Sequence, residues 1–106
     1  MTDHITHIGE RSVQVVARSP VNVQLIRELR GVTGTDADTW RIDYDTDDQL
    51  AQILQSLRDA DIAFAGGTSG WPPAAVAEQL RDKGKLHGPI RQISWLAPGQ
   101  EVIHDL

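Results

Sequence analysis

Cysteine is absent from the 106 residues of this chain. That excludes disulfide staples, thiolate metal sites and a cysteine nucleophile, so the fold must rest on its hydrophobic core. Aromatic residues are few, with one Phe and one Tyr beside three Trp. Cations are in the minority: 10 Lys+Arg stand against 15 Asp+Glu, a formal charge of -5. Nucleic-acid binding draws on clustered cations that release counterions, and this balance argues against it. No run approaches the ~18 continuous apolar residues of a membrane span. The opening MTDHITHIGE has neither the cationic nor the apolar region of a secretion signal. Linkers, repeats and low-complexity tracts are missing too. The expectation is one cytoplasmic domain over residues 1–106, with no membrane and no nucleic-acid partner.

What is present is strand and helix patterning in alternation. Val13, Val15 and Ala17 alternate with Gln14, Val16 and Arg18, which predicts a first strand with a polar lead reaching back toward Ile5. Ser19 stands at an N-cap position with Pro20 at the first helical position. The helix so begun runs to about Arg30, presents Val21, Leu25, Ile26 and Leu29, and ends at Gly31. A polar loop over 32–39 follows. From Thr39 to Asp45, Trp40, Ile42 and Tyr44 point one way and Arg41, Asp43 and Asp45 the other, a strand with one wet face.

Thr46 and Gln49 then form a Thr-x-x-Gln capping box, and Leu50, Ile53, Leu54 and Leu57 recur at helical spacing. Ile62 to Ala65 is continuously apolar, as in a strand covered on both sides, and opens into the glycine-rich Gly66 to Gly70. A third helix starts near Pro72 or Pro73, packs through Val76, Ala77 and Leu80, and stops at Gly84. The last part reads as a hairpin, with strands Ile90 to Leu96 and Glu101 to Asp105 around a Pro-Gly turn. The order β-α-β-α-β-α-β-β predicts an α/β fold: a single two-layer sandwich, a mixed sheet with helices mainly on one face. Trp40 and Trp95 fall on apolar strand faces and are expected in the core.

Two local compositions invite a functional reading. The glycine-rich loop joins a strand to a helix, where backbone amides can bind an anion, but it lacks the Lys-Ser/Thr of a phosphate loop and the spacing of a dinucleotide fingerprint. Were the first three strands parallel, Arg18, Ser19, Asp45, Asp47, Gly67, Thr68, Ser69 and Trp71 would share one rim. No His or Glu lies in those loops to act as a base. The second is the acidic run Asp36, Asp38, Asp43, Asp45, Asp47, Asp48. A calcium loop begun at Asp43 would need Gly at Asp48 and Glu at Leu54, so no metal is expected. The four histidines, His4, His7, His87 and His104, read as surface residues, and no cofactor is implied.

The expectation is therefore a non-catalytic acidic binding module of inhibitor, immunity or adaptor type. Asp43, Asp45 and Asp47, with Trp71 as an anchor, would meet a basic surface on a protein partner. The competing expectation is a small-ligand site or modest enzyme at the rim, with Arg18, Ser19, Gly67, Thr68 and Ser69 as ligand-binding residues. The open sheet face or an edge strand offers a surface for a homodimer.

Overall fold

A hairpin that the sequence pattern merges into one strand begins the chain: β1 (His4–Ile8) pairs antiparallel with β2 (Ser12–Val16). The computed structural model describes residues 2–35, 37–66, 72–97 and 99–106. After β2 come α1 (Pro20–Arg27), β3 (Val32–Gly34), β4 (Thr39–Asp43), α2 (Asp47–Asp59), β5 (Ala63–Ala65), α3 (Pro73–Asp82), β6 (Arg91–Ala97) and β7 (Gln100–Asp105). The seven strands of the described residues form one mixed sheet in the order β3-β4-β2-β1-β5-β6-β7. This is the expected α/β sandwich, with β1 and the three-residue β3 added to the predicted elements.

One set of alternating strand residues carries the core. Val13 faces Ile42, Ile5 faces Val15, and Ile5 also meets Phe64. These residues cluster with Ile26 of α1, with Leu50, Ile53, Leu54 and Leu57 of α2, and with Ala74, Ala77 and Leu80 of α3. The three helices of the described residues thus cover the same face of the sheet. The parallel connections β4-α2-β5 and β5-α3-β6 advance across the sheet in one direction, so crossovers of one hand put both helices there. The opposite strand positions, among them His4, Arg41, Asp43, Trp95 and Ile103, make up the other face.

Thr46 caps α2 as predicted, while the Gln49 side chain reaches back one residue beyond the cap to Asp45. The Gln49 N–H donates to Thr46 Oγ1 at 3.1 Å, and Gln49 Oε1 accepts the Asp45 N–H at 2.7 Å. Asp47 and Asp48 occupy the first turn, where negative charge suits the helix dipole. At α1, Ser19 takes the N-cap position, but its side chain makes no capping bond. Asp3, just before β1, supplies the acceptor: its carboxylate receives the Arg18 N–H at 3.0 Å, the Ser19 N–H at 3.2 Å and Asn22 Nδ2 at 2.8 Å.

Four expectations about exposure need correction. Val21 is 77 % exposed because α1, which ends at Arg27, turns the stripe of Val23 and Ile26 inward, continued by Leu29 just beyond the helix, and leaves Val21 outside it. Trp95 is 42 % exposed, since its strand position faces away from the helices. His4 is buried rather than on the surface: its Nδ1 lies 2.7 Å from the Thr2 carbonyl oxygen and its ring meets Trp95 edge-on at 5.1 Å. Trp40 is half-buried, with the Arg27 guanidinium 5.8 Å above its ring.

Candidate functional site

Direction of the strands decides which loops meet. Because β1 and β2 form a hairpin, β2 runs opposite to β1, β4, β5 and β6. Arg18 and Ser19, which follow β2, therefore lie at the end of the sheet where β4 begins, not where it ends. There Arg18 Nε pairs with Asp38 at 2.7 Å, and the Ala17 N–H donates to the Asp38 carbonyl. The shared rim of Arg18 with Asp45 is not formed. Gly66, at the end of β5, is at the same end as Asp45. Gly67, Thr68, Ser69 and Trp71 lie outside the described residues.

The end of β4 holds a cleft of about 540 Å³ between the turn after α1 and the stretch of α2 from Gln49 to Ser56. Leu29 and Ile53 give it an apolar floor, Arg30, Asp45, Gln52 and Ser56 give it polar walls, and Asp43 borders it through its backbone while its carboxylate turns to the other face beside Arg41. Sequence reasoning selected Asp43 and Asp45 but missed Arg30, Gln52 and Ser56, which read as ordinary polar helix positions. The wall beside Asp43 is closed by Gly31. Its φ of +81° is a left-handed conformation, and a Cβ there would sit 2.9 Å from the Asp43 carbonyl oxygen. Only glycine allows that turn to approach β4 so closely while its carbonyl accepts the Asp43 N–H at 3.1 Å.

Tyr44 forms the back of the cleft. Its hydroxyl donates to the Gly9 carbonyl of the β1–β2 turn, and its backbone N–H donates to Arg11. Burial, reinforced by the charges of Asp47 and Glu10, pushes the phenol above its ordinary value. A phenol held neutral and tied to a carbonyl is a poor proton acceptor.

The acids around this end differ in how far they are neutralised. Asp43 pairs with Arg41 at 3.2 Å and Asp48 with Lys85 at 3.0 Å, both on exposed side chains. Glu10, Asp45 and Asp47 have no ion pair among the described residues. No group of three metal-ligating side chains occurs among the described residues. The lining given by the described residues contains no His. The arrangement suits recognition of a cationic group by carboxylates, with an apolar floor for its aliphatic stem. Comparison with protein-family models, with curated proteins and with solved structures returns no match.

Proposed function

We propose that the protein is a non-catalytic binding module of inhibitor, immunity or adaptor type, covering a basic surface on a protein partner with the acidic end of its sheet. The observation that carries this reading is the cleft at the end of β4, where Asp45 and, nearby, Glu10 and Asp47 have no ion pair among the described residues and Asp43 has only its exposed pair with Arg41. Cationic side chains of a partner would gain charge-assisted hydrogen bonds there without displacing a strong internal pair. Arg41 on Asp43 is an exposed pair, worth only ~0–1 kcal/mol, so exchanging it is easy. Trp71 enters the proposal from sequence alone, as an anchor whose loss would shorten the lifetime of the complex.

The test is an amide chemical-shift titration with a capped arginine-rich peptide. The expected result is shifts grouped at Asp43 to Asp47, Gln52 and Ser56, abolished in the Asp43→Lys/Asp45→Lys double variant and weakened as salt rises from about 0.05 to 0.5 M. Shifts grouped instead near Arg18, or unaffected by the double variant, would refute the reading. A second reading, small-ligand binding, is favoured by one feature: the cleft volume lies within the range of ~300–1,000 Å³ typical of small-molecule sites, and Arg30 adds a cation to its wall. Arg30→Gln separates the two, weakening an anionic or zwitterionic ligand and leaving the cationic peptide bound.

A further inference from the structure

The sheet has two borders, and they are unequal. One is β3, three residues ending at Gly34. The other is β7, Gln100 to Asp105, a six-residue strand with five exposed positions. Edge strands are normally blunted by Lys, Pro, a bulge or a covering segment. β7 contains no Lys, Arg or Pro, and its pairing with β6 is regular from Glu101 to Asp105.

Hydrogen-bond phase determines what that edge offers. Ile90 and Leu106 exchange both backbone bonds, N–H to carbonyl, at 3.3 and 2.7 Å. By alternation Gln92 with His104 and Ser94 with Val102 are also the bonded pairs. Glu101, Ile103 and Asp105 therefore turn their N–H and C=O groups outward from the sheet. Their side chains lie on the face away from the helices, where Ile103 is 46 % and Trp95 42 % exposed.

We propose that β7 pairs antiparallel with β7 of a second copy of this chain, about a two-fold axis at Val102. An axis perpendicular to the sheet keeps each face on its own side, so the paired positions must share parity. An axis at Ile103 would set Glu101 directly against the second copy's Asp105 twice, which is destabilising. An axis at His104 would oppose two imidazoles and set Ile103 against a short Asp carboxylate. The Val102 axis opposes Val102 to Val102, Gln100 to His104 and Ile103 to Glu101. Glu101 suits that place because its carboxylate is drawn aside: the Thr2 N–H and hydroxyl both donate to it, at 3.4 and 2.7 Å, leaving its methylenes for Ile103. This dimer is independent of the acidic cleft, which lies toward the other border.

The chain's lack of cysteine makes the register directly readable. At this axis Val102 and its symmetry mate form a non-hydrogen-bonded pair with Cα atoms about 4.5 Å apart, within disulfide range. The two Ile103 residues would be about 8 Å apart, beyond it. Under mild oxidation Val102→Cys should form a covalent dimer at least ~10-fold faster than Ile103→Cys. Unmodified protein should show reversible, concentration-dependent association by analytical ultracentrifugation, which keeps the test open if a cysteine variant folds poorly. Ile103→Pro, which removes an outward donor and spares the bonds to β6, should abolish that association. A wild-type chain that stays monomeric at near-millimolar concentration would overturn the proposal, and so would faster cross-linking at position 103.

Discussion

Replacing Asp3 by Ala tests the least anticipated support of the fold. Asp3 is 9 % exposed, and its carboxylate accepts three hydrogen bonds, two of them from backbone N–H groups at the entry to α1. Bonds to a charged acceptor contribute ~1.5–3 kcal/mol each, and their loss is not additive because water reaches part of the site. Favourable placement of a carboxylate near the helix N-terminus adds ~0.3–1 kcal/mol. A net loss of about 2–4 kcal/mol follows from Asp3→Ala, a large part of the ~5–15 kcal/mol typical of a domain. Asp3→Asn should lose only about half as much, since its one carbonyl oxygen can still accept an N–H while its amide must face donors. Urea unfolding should show the midpoint falling with an unchanged slope. Hydrogen exchange at Arg18 and Ser19 should accelerate in the Ala variant. A loss under about 0.5 kcal/mol, with those amides still protected, would show that Asp3 does not hold α1 to the sheet.

Leu54 is fully buried beneath α2, and Leu54→Ala should cost ~2–5 kcal/mol in denaturant unfolding; a loss below half a kcal/mol would mean that the face does not pack. Tyr44 has its pKa raised, so the folded state holds that proton more tightly than the unfolded chain. The contribution of Tyr44 should therefore be fully present below pH ~10 and be lost as pH rises through the folded value, and Tyr44→Phe should flatten this alkaline loss in urea midpoints measured from about pH 8 to 11. Chelator should leave the melting temperature unchanged; a fall of several degrees restored by one divalent ion would overturn the metal-free reading. Reversing Asp43 and Asp45 to Lys should slow association with a basic partner and flatten its salt dependence, as stopped-flow or surface kinetics would report.

Legibility in the sequence followed the strength of local signals. α2 was readable because Thr46, Gln49 and the Leu50 to Leu57 spacing agree with one another, and the core confirms all four apolar positions. The closing hairpin was readable from its turn. The opening hairpin was not, because β1 mixes His4, Thr6 and His7 with its apolar residues and carries a register shift between Ile5 and His7 that breaks the alternation. That single omission reversed the inferred direction of the strand before Arg18 and produced the rim that does not form. Of the cleft, Asp43 and Asp45 were legible from strand alternation. Arg30, Gln52 and Ser56 were not, because their meeting depends on how the turn at Gly31 lies against β4.

The cleft and the β7 border bear a fixed geometric relation that couples the two proposals without merging them. β4 and β7 are five strand positions apart in the sheet, about 24 Å at the usual spacing. A two-fold at β7 doubles this and reverses strand direction, so the two acidic ends would lie on the order of 50 Å apart and point oppositely. No single basic patch of ordinary size could touch both, because a typical interface buries only ~800 Å² on each partner. Dimerisation should then leave the affinity for a single basic segment unchanged and strengthen binding only to a partner with two widely spaced basic sites. Ile103→Pro provides the measurement: it should abolish self-association while leaving the arginine-peptide titration as it is in the unmodified chain. Weaker peptide binding by a folded Ile103→Pro variant would mean that the edge strand and the acidic end act as one surface, contrary to the separation read from the sheet order.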